Sequence, residues 1–414
     1  MRPVRALVKD ELLVVGVPWS VHELGPAVQA AHAFGLSIVV ADTVERLRMV
    51  PPGIAIEQMP LAALNSDTLV AALGARRPPG IVSLTELSME CAAEVREALG
   101  YRGTPSAVER SVAEKPLTRD ILSKHGLTSV RWWECTLSNI ADIVSSINFP
   151  VVLKPRALTG SAGVRFLASA QDLKTLGRQY RDHAKAFCRD QVTLEAFVPG
   201  TEVSVEGLVV NGHFILFAVT DKLNTGVPYF FELGHVLPSR YSSERSREIE
   251  QYLQRCITAI GVVTSPIHAE LKIADGVLEV IELHTRYGGD NIVRLLELAG
   301  IASPFHAYFA AVLNGTVPAP HLPTACWGIG FYTAVVGRRV ECRSFAFPYP
   351  YCVQEIDFDA RRTPKLEEYE GVRLVYWRAG HMYCGSSVYE HVYGNVAFLA
   401  SECNLDHVVP EYAG

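Results

Sequence analysis

Nothing in the 414 residues approaches the ~20 consecutive apolar side chains that a membrane-spanning helix needs. Residues 1–12 also lack the continuous apolar core of a secretion signal. The nine cysteines are odd in number, scattered, and include no C-x-x-C pair, which argues against a zinc ribbon or a disulfide framework. They read as reduced, mostly buried thiols in a cytoplasmic protein. Positive charge is in short supply: 38 Lys and Arg stand against 44 Asp and Glu, a net charge of −6. That balance argues against nucleic acid or an anionic membrane as the main partner. Two glycine signatures are absent as well. No G-x-G-x-x-G follows the first apolar strand, so a dinucleotide fingerprint is excluded there, and no glycine loop leads into Lys-Ser/Thr and a helix as a P-loop requires.

A hydrophobic content of 49% with 20% charged residues describes a folded chain with ample core, and the length allows two to four structural units. Residues 11–42 alternate an apolar strand (Leu12 to Val17), a helix (about Leu24 to Phe34, stopped by Gly35) and a second strand (Leu36 to Ala41). This βαβ order implies a parallel sheet. A further strand at Ile81 to Leu84 and a helix from Met89 to Leu99, closed by Gly100, extend it, so the first ~100 residues form an open α/β unit.

Beyond it the pattern changes. Residues 104–127 look helical with a break, where Lys115-Pro116 opens a second helix with Leu117, Ile121 and Leu122 as its buried stripe. Val151 to Lys154 and Gly163 to Ala168 read as strands around the small-residue loop Thr159-Gly160-Ser161-Ala162-Gly163, whose backbone N–H groups can approach an anion closely. A helix over about 170–186 carries Ser169 as N-cap and Asp172 as capping-box partner. Asn211-Gly212, between apolar runs, is a strong two-residue hairpin signal. Before it, Glu202, Ser204 and Glu206 alternate with Val203 and Val205 and line one face of a strand.

The stretch with the most chemistry is His268 to Asp290, HAELKIADGVLEVIELHTRYGGD. It parses as two strands joined by the three-residue loop Ala274-Asp275-Gly276, with Gly276 left-handed. That register sets Glu270 opposite Val280 and diagonal to Glu282. Glu270, Lys272, Val280, Glu282 and His284 then share one face, and Ala269, Leu271, Ile273, Ile281 and Leu283 the other. A two-residue loop would separate the glutamates onto opposite faces. Diagonal partners lie roughly 7–8 Å apart at the backbone, close enough for two carboxylates to converge on Mg²⁺, which takes oxygen ligands and keeps room for water and phosphate. The competing reading is an edge hairpin with a solvated charged face.

Taken in order, FPVVLKP with its glycine loop, LEAFVPGTEVSVEG and HAELK…VIELHTRYGGD resemble the ATP-grasp superfamily of carboxylate–amine ligases. The resemblance runs from about Lys115 to Asp290. It implies an α/β fold, α+β in its catalytic part: an N-terminal α/β domain (1–102), a central lobe with the glycine loop (103–193), a lobe with the Mg²⁺ and substrate site (194–314) and a β-rich extension (315–414). ATP would lie between two antiparallel-sheet lobes. The resemblance further implies Lys115 and Lys154 on ATP phosphates, Gly160, Ser161 and Gly163 in a lid over them, Glu195 with the backbone of Phe197 and Val198 at the adenine, and Glu202 at the ribose. Glu270 and Glu282 become Mg²⁺ ligands (Mn²⁺ being a possible substitute), and Arg286 the residue that stabilises the reacting phosphate. His284 departs from the asparagine usual at its position, and an imidazole is a poor Mg²⁺ ligand.

Phe230-Phe231-Glu232-Leu233-Gly234-His235 narrows the resemblance to the bacilysin-type L-amino acid ligases. It implies an acyl phosphate formed from ATP and a carboxylate, then amide formation with an amine, both substrates being small molecules of the amino-acid class. His235 would act at the amine, with Asp221 and Lys222 bordering the pocket and Tyr287 and Asp290 shaping it. Alternatives are an ATP-grasp ligase or carboxylase of another branch, acting on a nucleotide precursor, and a non-catalytic ATP-binding module. Residues 291–313 read as two helical pieces, the second started by Ser303-Pro304, and Gly315 to Thr324 as a proline-rich linker. The final ~90 residues read as short strands, Gly328 to Val336, Val372 to Trp377 and Asn395 to Leu399, with a possible homodimer surface and no chemical constellation.

Overall fold

Strand β1 (Glu11–Val15) is buried along its whole length, and its neighbours explain why. It lies in a four-stranded parallel sheet of order β3-β2-β1-β4, with β2 Ser37–Thr43, β3 Ile56–Leu61 and β4 Ile81–Val82. Alternate residues enter two separate cores. Leu12, Val14, Ile38 and Val40 pack on one face, with helix α1 (Leu24–His32). Leu13, Val15, Val39 and Ala41 pack on the other, with α3 (Ser66–Leu73) and α4 (Glu86–Leu99). The short α2 (Val44–Leu47) follows β2. A parallel sheet covered on both faces produces the near-continuous apolar strands seen in the sequence.

The computed structural model describes residues 10–18, 23–140, 142–156, 163–175, 191–228, 230–274, 276–316, 323–335, 348–349, 352–358 and 376–402. After α5 (Ser106–Ala113) and α6 (Lys115–Lys124) comes a small antiparallel sheet of β5 (Trp132–Thr136), β6 (Val151–Pro155), β7 (Arg165–Leu167) and β8 (Gln191–Ala196), in the order β5-β8-β6-β7. Then follow β9 (Thr201–Val210), β10 (His213–Asn224), β11 (Glu232–Leu237), α7 (Ser243–Ile260), β12 (Ser265–Ala274), β13 (Val277–His284), α8 (Ile292–Leu298) and α9 (Pro304–Asn314). The chain closes with β14 (Cys326–Val335), β15 (Cys352–Phe358), β16 (Tyr376–Ser386) and α10 (Tyr389–Glu402). One eight-stranded antiparallel sheet, order β13-β12-β9-β10-β11-β14-β16-β15, takes in all the later strands, so it runs straight across the proline-rich stretch.

One expectation fails in the C-terminal part: Asn395 to Leu399 lies within helix α10, not a strand. Of the strand expected at 372–377, Tyr376 and Trp377 lie in β16, and residues 372–375 lie outside the described residues. Val392, Val396 and Leu399 recur at helical spacing and are buried. They pack onto glycines of the sheet: a Cβ on Gly328 would lie 2.7 Å from both valines, and one on Gly330 2.8 Å from Leu399. The stripe on α6 also differs. Pro116, Thr118, Arg119 and Leu122 are its buried residues, with Leu117 and Ile121 only partly covered.

One buried acid gives a stability prediction. Glu109 on α5 accepts the Thr285 hydroxyl and lies 3.8 Å from the Arg96 guanidinium. Burial raises its pKa to about 7, against the pull of Thr285 and Arg96. The native state therefore holds a proton that the unfolded chain releases near 4.5, and stability falls as pH rises from about 4.5 to about 7. Glu109→Gln keeps the shape and is expected to flatten that decline, read as denaturant midpoint against pH; an unchanged slope rejects the assignment.

Candidate functional site

The β12–β13 hairpin places its glutamates by a route the sequence reading missed. Ala274 pairs with Val277, so the loop holds two residues, not three. Gly276 is left-handed, φ +83°. Two residues would drive Glu270 and Glu282 to opposite faces, but a bulge restores them: Leu271 pairs with Val280 while Glu270 pairs with Glu282, leaving Ile281 extra. The glutamates are thus directly opposite, not diagonal. Val280 belongs to the apolar core with Ala269, Leu271, Ile273 and Leu283, and Ile281 leaves it. Arg119 caps the irregularity by donating to the carbonyls of Val280 (2.8 Å) and Ile281 (3.3 Å).

Both carboxylates are charge-balanced by lysines. Lys115 Nζ lies 2.7 Å from Glu282, and Lys222 Nζ 2.6 Å from Glu270. Burial works to raise the Glu282 pKa, but Lys115 and His284 hold it below the usual value despite the like charge of Glu270. Glu270 is lowered well below the carboxylate range, with Lys222 and His268 outweighing burial. Lys222 also reaches Glu202 at 2.7 Å and Glu232 at 3.6 Å, and these anions keep it protonated in spite of its burial. Glu202, assigned to a ribose, is thus in this cluster, also 3.1 Å from Lys272.

Lys154 Nζ meets Glu195 at 2.8 Å, and Glu195 is gripped from the other side by Arg119. The two cations overcome burial and bring Glu195 to about 2. The Phe197 N–H is taken by Pro150 O (3.0 Å), and its ring meets Phe166 edge-on at 5.0 Å; Val198 is partly exposed beside it. Gly160 and Ser161 lie outside the described residues, whereas Gly163 is described, with φ +73°.

Arg286 does not point into open space. Its Nε and Nη2 donate to one oxygen of Glu86, at 3.0 and 2.8 Å, from the first turn of α4. His284 Nδ1 is 3.1 Å from the same oxygen. Burial would raise Glu86, but His284 and Arg286 bring it down to about 2. Glu23 is raised to about 8 by burial, against the charge of Arg286. His235 Nε2 is 3.3 Å from Asp290, and its ring stands edge-on to Phe331. Asp290 and Asn291 both adopt positive φ, 57° and 60°, a strained pair of the sort found at functional positions. Asn291 reaches His381 of β16 at 3.5 Å, so a C-terminal strand borders this corner of the site. Asp221 does not border this cluster. Strand alternation turns it away from Lys222, and its Oδ2 receives Arg240 and the Tyr389 hydroxyl.

Lys115, Lys222, Glu202, Glu270, Glu282, His284 and Arg286 therefore form one continuous charged network, with Lys154 and Glu195 beside it. Among the described residues no group of three His, Cys, Asp or Glu side chains surrounds a common point. Two facing carboxylates suit a magnesium ion that takes its remaining ligands from phosphate and water. Sequence reasoning missed Glu86 and Arg119. Glu86 is 200 residues from Arg286, and no local pattern connects them; Arg119 reads as an ordinary surface residue of a helix.

Residues 147–294 match the ATP-grasp domain family. Over 256 residues the chain is 27% identical to human carnosine synthase 1, covering 55% of this chain and 29% of that protein, so the match spans less than a third of the curated relative. In structure it resembles the L-amino acid ligase from Bacillus licheniformis, with TM-score 0.70, 20% identity and coverage of 95% of this chain and 97% of that one. Carboxyaminoimidazole ribonucleotide synthase from Aspergillus clavatus, complexed with ATP, gives TM-score 0.70 at 14% identity, covering 95% and 98%. The fold is that of ATP-grasp enzymes. Among the described residues no helix is long and apolar enough to cross a membrane.

Proposed function

We propose that this chain, whose residues 147–294 match the ATP-grasp domain family, is a carboxylate–amine ligase that joins an amino-acid carboxylate to the amine of a second amino-acid-like substrate. The observation that carries this reading is the opposed Glu270–Glu282 pair with a lysine on each carboxylate. A site that does chemistry on a polyphosphate and its cation needs this alternation of charge, and a non-catalytic ATP-binding module has no need of the full set. The names of two similar proteins, carnosine synthase and L-amino acid ligase, support an amino-acid substrate class.

Glu270 and Glu282 would hold Mg²⁺, which when bound neutralises phosphate charge and orients the terminal phosphoryl group. Lys115 and Lys222, now on those glutamates, would turn to phosphate oxygens as the cation takes the carboxylates, and Lys154 joins them. A carboxylate oxygen of the first substrate attacks the γ-phosphorus. The bond from that phosphorus to the bridging oxygen breaks, ADP leaves, and an acyl phosphate remains. Arg286 faces the charge that develops on the transferred group. The amine nitrogen next attacks the carbonyl carbon, phosphate departs with the C–O bonding electrons, and the amine proton passes to a base. His235, oriented by Asp290, is the base we assign. Glu195 holds Lys154 in place at the edge of the nucleotide site.

Incubation with ATP, Mg²⁺ and pooled amino acids is expected to yield ADP, phosphate and a mass-detected dipeptide. AMP and pyrophosphate would instead mean adenylation. For His235→Ala we expect amide formation to fall about 10²-fold or more, while ATP affinity stays within about twofold; equal loss of both removes His235 from the amine site.

A further inference from the structure

Each metal-site glutamate has an imidazole beside it, and each imidazole is backed by a second carboxylate. His268 Nε2 is 3.7 Å from Glu270 and its Nδ1 2.5 Å from Glu206. His284 Nε2 is 3.5 Å from Glu282 and its Nδ1 3.1 Å from Glu86. The two rings stack, with centroids 5.8 Å apart and planes inclined by 21°. Sheet register produces this arrangement: His268 pairs with Glu206 on β9 and with His284 on β13, one row beyond the row of Glu270 and Glu282.

The backing carboxylates have a second task in common. Glu206 accepts the Gly288 N–H at 3.1 Å, and Glu86 accepts the Arg286 guanidinium. Gly288 sits against the Glu206–His268 pair so closely that a Cβ would fall 2.7 Å from His268 Nδ1 and 3.0 Å from Glu206 Oε1. Glu206 is fully buried. A buried ion pair adds little to stability, and well-packed apolar residues of equal volume commonly do as well or better. Its value lies in where it holds its neighbours.

We propose that Glu206 and His268 are positioning residues. They fix Glu270 and the Arg286–Gly288 turn at a set separation, as Glu86 and His284 do on the other side, so that divalent-cation binding and the placement of Arg286 are one rigid arrangement. The inference rests on the ligase reading above. Outer partners of metal ligands typically influence affinity by 10- to 100-fold.

The test is a calorimetric titration of ADP at a series of Mg²⁺ concentrations, on wild type, His268→Gln and Glu206→Gln/His268→Gln. The double variant leaves no charge at this pair and covers the case in which the single one fails to fold. Binding without Mg²⁺ is expected to be unchanged, while the Mg²⁺ concentration giving half of the metal-dependent gain rises about tenfold. A folded variant with the wild-type Mg²⁺ dependence overturns the positioning role alone. Wild-type ADP binding indifferent to Mg²⁺ overturns the ligase reading beneath it.

Discussion

Glu282→Gln is expected to lower kcat by about 10³-fold or more, some 4 kcal/mol of barrier. The substitution keeps the side chain's size and its place on β13, so Tm should move little. What it removes is one of two carboxylates that face each other across the hairpin and, on our reading, carry the cation. Lys115, 2.7 Å away, loses its strongest carboxylate partner at the same time, with Glu86 and Glu195 still acting on it. Nucleotide affinity measured without Mg²⁺ should therefore hold or improve, since one carboxylate fewer competes with phosphate for Lys115. A variant turning over within a factor of ten of wild type would remove Glu282 from the metal site and take the proposed chemistry with it.

Arg286→Ala is expected to cost about 10³-fold or more in kcat, and Arg286→Lys about 10²-fold, because an ammonium cannot reproduce the fork of a guanidinium. Glu86 sharpens this prediction. It already receives two N–H groups of Arg286, so the arginine is held before any substrate arrives. Glu86→Gln should give an intermediate loss in kcat with little change in KM for ATP. The sign of the pH effect follows from its depressed pKa. Ionised Glu86 contributes stability above the usual 4.5, and that contribution disappears only as pH falls toward about 2. The Arg286–Glu86 pair thus persists at and above the usual carboxylate pKa of 4.5, and a kcat profile in Glu86→Gln should keep the wild-type acid limb. A shifted limb would show that Glu86 titrates in the working range.

Periodicity and turn chemistry made much of this architecture legible. The first βαβ unit, the Asn211-Gly212 hairpin and the shared face of Glu270 and Glu282 all follow from local rules. The last was reached through the wrong turn. A three-residue loop and a two-residue loop with a bulge yield the same facing of the glutamates, and only the positions of Val280 and Ile281 distinguish them. The bulge depends on Arg119, a tertiary partner on α6 that no strand pattern announces. Glu86 was illegible for the same reason: its meaning comes from a residue in another part of the fold. Helix α10 was misread because Asn395 to Leu399 is short and apolar, and length alone did not separate strand from helix. The glycines of β14 that receive it are the missing signal.

The shared eight-stranded sheet has a practical consequence for anyone trimming the protein. The proline-rich segment invites a cut, yet β11 forms its ladder with β14 beyond that segment, His235 pairing with Ile329. A chain ending there would present a bare row of N–H and C=O groups along β11, a template for joining a second molecule edge to edge. Clumping in place of a smaller working enzyme is the outcome to anticipate, and the strand bearing His235 would be the one that sticks.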